Sequence, residues 1–425
     1  MATEICEIVW HSPLDAVSNI LHFSPETSCC LLFSGMHTSY SGRYSYVAWQ
    51  AEEEINTDAF ASLSDIEADI TPLPHWFGNI SYEAGCAAHN VPATSASFIV
   101  APLVAFIRYA HVIRYDHQLQ RCHYHGESPD AAHPFCHPSL FHFPSFPSAN
   151  TFVPHLSKSH YLSIIRETIA EIHAGNFYQA NITCKYSGEL SAQLTACSAW
   201  EGFMQLHQLS PAPYSAFFSR QGRYILSSSP ELFIQIDDAG YLTTRPIKGT
   251  LSADQSAHML HNSYKNKAEN LMIVDLMRND LAACALAGSV QVPHLWEVDS
   301  FRTLHHLSST IAATLPPSYT LTDVLHATFP AGSMTGAPKR AAMQWIAAKE
   351  GIDRGIYSGA LGWINGKCCE LSVVIRTLIA EENRYEFQVG GGIVADSDPE
   401  EEYAETLTKA RALLTLLQHN LPKDV

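Results

Sequence analysis

Tyr214-Ser215-Ala216-Phe217-Phe218, Tyr224-Ile225-Leu226-Ser227-Ser228 and Leu232-Phe233-Ile234-Gln235-Ile236 follow one another closely. Each run is rich in aromatic and β-branched residues and bounded by turn formers, so the three read as strands of a meander. Strands joined by turns this short pair antiparallel. Downstream, residues 265–281 carry a helical period with Leu271, Val274, Met277 and Leu281 expected inward. Strands are predicted at 357–365, 369–380 and 385–389, then a closing helix at 400–419. Upstream, residues 159–174 place Leu162, Ile165, Ile169 and Ile172 on one helical face, and 28–34, 44–49, 76–82 and 98–109 read as strands. Antiparallel runs interleaved with helices, without strict βαβ alternation, predict an α+β fold: layered antiparallel β-sheets flanked by helices.

The chain has 425 residues, enough for one large or two to three smaller domains and for a core that needs no disulfide or metal staple. Pro129, Pro134, Pro138, Pro144, Pro147 and Pro154 mark the clearest change of composition. They suggest an N-terminal subdomain over 1–126, a Pro/His-rich connection over 127–155 and a core over 156–425. The formal charge of −17 argues against nucleic acid and anionic membrane as main partners, because both select basic patches. It leaves room for an anionic small molecule in a locally positive pocket. The first residues do not read as a signal peptide, and no segment offers about 18 uninterrupted apolar residues. Eleven scattered cysteines without a C-x-x-C pattern suit a reducing compartment, so a cytoplasmic location is expected. Cys122, His123, His125, His133, Cys136, His137 and His142 could ligate zinc, but their spacing fits no standard finger and the prolines suggest a mobile linker.

Several segments carry chemistry. Gly390-Gly391-Gly392 follows a predicted strand and could present backbone amides as an anion-binding nest. Beyond it Pro399 starts a helix on which Glu402, Glu405 and Lys409 share one face. That face is either a solvated acidic turn or, beside such a nest, a set of oxygen ligands suited to Mg²⁺. Glu269 is a second acidic candidate, or a surface glutamate paired with Lys265 at i−4. Lys248, in Pro246-Ile247-Lys248-Gly249-Thr250, is either an ordinary turn lysine or a desolvated nucleophile. Glu231 enters a strand after a Ser-Pro turn and becomes a candidate general acid if burial raises its pKa. Residues 329–339, ending Gly336-Ala337-Pro338-Lys339, read as an anion-binding loop on a helix N-terminus that lacks P-loop spacing.

In their order and spacing these segments resemble the chorismate-utilising enzymes from about residue 159 to the C-terminus. The resemblance rests on Phe177-Tyr178-Gln179-Ala180-Asn181 and on Glu269 leading to Asp275-Leu276-Met277-Arg278-Asn279-Asp280. His305-His306-Leu307, residues 371–378 and residues 390–409 complete it. Gly42-Arg43-Tyr44-Ser45 and Trp76-Phe77-Gly78-Asn79-Ile80-Ser81-Tyr82 more weakly resemble the N-terminal part of the aminating branches. The resemblance implies the anthranilate synthase component I-like fold and chorismate as substrate. It implies Mg²⁺ held by Glu269 and Glu405 with Glu402 in support. Lys248 would be the nucleophile, Glu231 the acid and His306 an orienting group. Tyr357 and Arg376 would hold the enolpyruvyl carboxylate; Gly390, Gly391 and Lys409 would help bind carboxylates, with Thr250 and Thr335 also against the substrate. Gln179 stands where isochorismate and salicylate synthases place a water-activating lysine, which disfavours water as nucleophile. Lys248 stands where the anthranilate-forming enzymes carry alanine. The implied reaction is therefore amination of chorismate to 4-amino-4-deoxychorismate, for 4-aminobenzoate and folate, through a covalent lysine adduct; anthranilate formation is the alternative. Ammonia would come from a separate glutaminase subunit, since no cysteine-histidine glutaminase module is read in the chain.

Overall fold

The computed structural model describes residues 5–36, 42–92, 94–127, 137–139, 141–300 and 304–419. Its strands pair antiparallel in one long ladder that folds over on itself. The first arm runs Gln179–Glu189, Arg384–Ile393, Thr377–Glu381, Arg223–Ser229, Tyr214–Arg220, Cys29–Phe33, Tyr44–Thr57 and Val104–Asp116. From Val104–Asp116 the ladder passes to Trp76–Ile80, Ala360–Asn365, Cys368–Val373, Leu232–Ile236, Tyr241–Arg245 and Leu304–Thr314.

Side chains of a strand alternate between two faces, and here both faces are buried. Cys29 and Leu31 join Phe217 and Leu226 in the core under the outer helices. Cys30 joins Ala216, Phe218 and Ile225 against Phe77 and Leu361 of the second arm. Helices Pro13–Phe23, Lys158–His173, Ala196–Leu209 and Pro399–Leu416 cover the first arm. Tyr264–Ala282 and Leu321–Thr328 cover the second. The result is the expected α+β layering, helices outside two apposed antiparallel layers.

Four local expectations are corrected. Only Tyr214–Arg220 and Arg223–Ser229 form a hairpin; after Pro230 and Glu231 the chain crosses to the other layer, where Leu232–Ile236 pairs with Cys368–Val373 and Tyr241–Arg245. The single strand expected over 369–380 breaks in the same place. Cys368–Val373 belongs to the second arm and Thr377–Glu381 to the first, with Arg376 at the crossing in a left-handed conformation (φ 52°). In helix Tyr264–Ala282 it is Asn270, Ile273, Val274, Met277 and Leu281 that face inward, and Leu271 is exposed. Val274, Met277 and Leu281 lie on the expected face, and Asn270 with Ile273 takes the inward place expected for Leu271. Finally, the described part of the proline-rich connection is not loose: Phe146 is buried against Gly202, and Val153–Pro154 pairs with Tyr186 and Ser187.

One buried ion pair ties the layers' ends. Lys185 donates to Ser97 Oγ at 2.5 Å, to the Asp353 carbonyl at 2.8 Å and to Glu386 at 3.4 Å, and Glu386 accepts the Ile99 amide at 3.0 Å. Removing one partner of such a pair strands the other charge in a dry environment. Lys185→Ala is expected to lower unfolding free energy by about 3–5 kcal/mol in a urea titration.

Candidate active site

The two crossings between layers lie side by side: Val373 N donates to the Glu231 carbonyl at 3.0 Å, and Ser228 N to the Arg376 carbonyl at 3.2 Å. They bring Glu231 and Arg376 together. Glu231 is 5% exposed, and burial pushes its carboxyl up to about 7 although the Ser333 hydroxyl, Lys248, the Ile247 amide and Arg376 all favour the ionised form. Burial pulls the Arg376 guanidinium down to about 10, against the pull of Glu231. A carboxyl that holds its proton near neutrality is suited to general acid work.

Lys248 lies on Ile247–Ser252, just after Pro246 turns the chain out of Tyr241–Arg245. Its amine points into the protein: a β-carbon placed on Gly392 would lie 2.7 Å from Lys248 Nζ and 2.9 Å from Gln179 Nε2. Gln179 is fully buried, and neither its Nε2 nor its Oε1 has a hydrogen-bond partner. An unpaired buried amide costs roughly 1–3 kcal/mol, a cost that a polar ligand beside Lys248 would remove.

The glycine run does not follow a strand, as expected, but ends one. Gly390, Gly391 and Gly392 stand opposite Thr183, Ile182 and Asn181 in the ladder, and none has the positive φ that a nest of amides requires. Their value is the missing side chain. A β-carbon on Gly390 would meet the Ile182 carbonyl at 2.2 Å, and one on Gly391 would meet Glu402 Oε2 at 3.2 Å and Lys409 Nζ at 3.6 Å. Gly392→Ala is accordingly expected to displace the flexible Lys248 amine without harming the fold. It should lower kcat by about 10²-fold while leaving the melting temperature in place, as calorimetry beside steady-state kinetics can check.

On Pro399–Leu416 the Asp398 side chain caps the amides of Glu400 and Glu401. Glu402 is buried, accepts the Ser397 hydroxyl at 2.7 Å, and is raised by desolvation and further by neighbouring Glu405. Glu405 pairs with Lys409 at 2.8 Å and is held low chiefly by that lysine, with Lys248 and Lys265 contributing. Lys409 also donates to the Gly390 carbonyl at 2.9 Å. Glu269 is half-buried on the neighbouring helix and forms no ion pair with Lys265, which acts on Glu402 and Glu405 instead. Among the described residues no three His, Cys, Asp or Glu side chains converge as a metal cluster. Glu402 and Glu405 are brought together and Glu269 is not joined to them. Of the histidine and cysteine residues read as possible zinc ligands, His133 and Cys136 lie outside the described residues.

His306 is buried opposite Thr250 in the ladder. Desolvation, then Arg376, pushes it down to about 3, against a hydrogen bond with the Gly249 backbone. It is a neutral ring at working pH. Burial raises the Tyr357 phenol, against the Arg354 guanidinium and the nearby Ser358 and Asn181 side chains. Thr335 is fully buried, and its hydroxyl is turned to the Ala331 and Gly332 carbonyls at 3.3 and 3.4 Å. The Thr250 side chain lies outside what the structure describes. In the 329–339 loop the Lys339 ammonium is already engaged, pairing with Asp280 at 2.8 Å and donating to the Thr328 carbonyl at 2.6 Å. The same loop carries Ser333, whose buried hydroxyl has no hydrogen-bond partner and lies close enough to Glu231 to favour its ionised form. Ser333 and Asn181 were missed as site residues, and only their places inside the quoted motifs pointed to them.

Residues 26–415 match the family model described as chorismate binding enzyme, and the chain belongs to that family. Within it, the chain is similar to aminodeoxychorismate synthase component 1 of Salmonella typhimurium, 38% identical over 354 residues that cover 80% of this chain and 76% of the relative. It is 32% identical over 395 residues to anthranilate synthase component 1 of Saccharolobus solfataricus, covering 89% and 91% of the two chains. The solved anthranilate synthase component I from Streptococcus pneumoniae superposes with a TM-score of 0.77 at 26% identity, over 90% of this chain and 94% of that one. The menaquinone-specific isochorismate synthase from Escherichia coli shares the fold, with a TM-score of 0.76 at 18% identity over 98% and 95% of the chains.

Proposed function

We propose that this chain is the chorismate-aminating component of an aminodeoxychorismate synthase, converting chorismate and ammonia to 4-amino-4-deoxychorismate. The observation that carries this is one arrangement: the Lys248 amine packed inward against Gly392 and Gln179, with a protonated Glu231 acting on it. The pattern of relatives supports the same reading, with 38% identity to an aminodeoxychorismate synthase component 1 against 32% to an anthranilate synthase component 1.

Lys248 attacks ring carbon 2; the two conjugated ring double bonds each shift by one position, the bond from carbon 4 to its hydroxyl breaks, and Glu231 gives its proton so that water leaves. Ammonia then bonds to carbon 4, the double bonds return, and the bond from carbon 2 to Lys248 breaks. Glu231, left ionised, takes back a proton from the incoming nitrogen. Arg376 and Tyr357 hold the substrate's side-chain carboxylate, and neutral His306 orients the ring. Glu402 and Glu405 are the carboxylates that would hold Mg²⁺; their mutual repulsion and all-oxygen donor set suit a hard divalent cation. When bound it would neutralise a substrate carboxylate and draw electrons from the ring.

Ammonia is mostly protonated at neutral pH, so a separate glutaminase subunit is the source we assign, in keeping with relatives named component 1. We place the protein in the cytoplasm, because eleven scattered cysteines without a C-x-x-C pattern suit a reducing compartment. No helix among the described residues is long and apolar enough to cross a membrane. Incubation with chorismate, Mg²⁺ and an ammonium salt is expected to yield a product that an added lyase converts to 4-aminobenzoate. Fluorescent anthranilate as the product would overturn the assignment, and chelation by EDTA should stop turnover.

A further inference from the structure

Strand Gln179–Glu189 has two unlike faces. Ala180, Ile182 and Cys184 point into the core under the outer helices. Gln179, Asn181, Thr183 and Lys185 alternate with them and form a buried polar row on the opposite face. Buried polar groups are normally hydrogen-bonded, and half of this row obeys. Thr183 donates to Glu350 at 2.7 Å and accepts the Gln388 amide at 2.5 Å, and Lys185 donates to Ser97 at 2.5 Å. The other half does not. Asn181 is 4% exposed, yet its Nδ2 has no partner, and neither polar atom of the Gln179 amide has one.

The Asn181 backbone is fixed on both sides. Its N donates to the Thr335 carbonyl at 2.8 Å, and its carbonyl accepts Arg354 Nη2 at 2.7 Å. In the ladder it stands opposite Gly392, and directly opposed residues of an antiparallel pair project from the same face. On that face a β-carbon at Gly392 would meet Lys248 Nζ at 2.7 Å and Gln179 Nε2 at 2.9 Å. A lysine amine and two carboxamide nitrogens, all able to donate, thus gather around one glycine.

We propose that Asn181 is a substrate-binding residue, its side-chain amide donating to a carboxylate oxygen of chorismate seated beside Gly392 and Lys248. The inference deepens the proposed function and rests on chorismate being the substrate. A dianion supplies the acceptor that the gathered donors lack, and a hydrogen bond to a charged acceptor is about twice as strong as a neutral one. An apolar side chain of similar size would suit the ligand-free protein better, because an unpaired buried donor costs stability.

The test compares Asn181→Leu with the parent in two measurements. Leucine is close to asparagine in size and removes the orphan donor, so the melting temperature of the ligand-free chain is expected to hold or rise. Calorimetric titration with chorismate and Mg²⁺, without ammonium, should show a dissociation constant raised roughly 10- to 100-fold. In turnover the loss should fall on KM for chorismate with kcat little changed, as for a contact kept from ground state to transition state. Parent-like affinity in Asn181→Leu, or a lowered melting temperature with KM in place, would overturn the proposal and leave Asn181 a structural residue. Should Asn181→Leu not fold, Asn181→Asp keeps the shape and exchanges the donor for a negative oxygen. At about pH 8, where a carboxyl is ionised, it should weaken binding at least as much, and parent-like affinity there counts against the contact. Failure of the proposed function reads differently: the parent itself would then bind no chorismate.

Discussion

Lys248→Ala is expected to lower kcat on the order of 10³-fold, about 4 kcal/mol of barrier, with chorismate, Mg²⁺ and saturating ammonium supplied. The amine is the one nucleophile the structure sets against Gly392 and the unpaired Gln179 amide, within the field of both Glu231 and Glu405. Without it, ammonia has to displace a poor leaving group in one step. Lys248→Arg should fare no better, because a guanidinium is always protonated and is no nucleophile. Mass spectrometry of product formation in single turnovers measures the loss. Unchanged rates in Lys248→Ala would remove covalent catalysis from the mechanism and leave only direct amination.

Glu231→Gln is expected to cost roughly 10²–10⁴-fold in kcat, the usual contribution of a positioned acid. The parent enzyme should lose rate as pH rises through about 7, where Glu231 gives up the proton it must deliver, and the variant should lack that limb. The same carboxyl makes a stability prediction of definite sign. Its folded pKa lies above the ordinary 4.5, so the native state holds a proton that the unfolded chain has released. Its contribution is therefore largest at low pH and is lost as pH climbs from about 4.5 through about 7, then stays flat. Urea titrations across that range should show a shallower pH dependence in Glu231→Gln. A parent rate that holds level to pH 8 or beyond would exclude Glu231 as the acid.

The elements were legible because each is a local pattern: short runs rich in aromatic and aliphatic residues between turn formers at Cys29–Phe33 and Tyr214–Arg220, a helical period through Lys158–His173 and Tyr264–Ala282. Lys248 and Glu231 were legible because unusual residues sat in turn and strand-entry contexts that chemistry uses. Partner choice was not. In a structure whose strands are buried on both faces, alternation does not say which layer a strand joins, so Leu232–Ile236 and the break before Thr377 were misread. Lys339 lies in the glycine-bearing 329–339 loop, and nothing in its spacing says that it meets Asp280. Leu271 went wrong by one residue because Asn270, a polar side chain, is buried through a 2.6 Å bond from Ser309.

From sequence by itself came the α+β class and the family resemblance, and through that resemblance the choice of Lys248 and Glu231 as candidate reacting groups, since these depend on composition, periodicity and motif. Tertiary structure alone decided how the groups meet. Two layer crossings set Glu231 beside Arg376, and Gly391 and Gly392 leave the room that Glu402, Lys248 and Gln179 occupy. The physical reason is that burial and through-space charge, which raise one carboxyl and silence one histidine, belong to packed neighbours far apart along the chain.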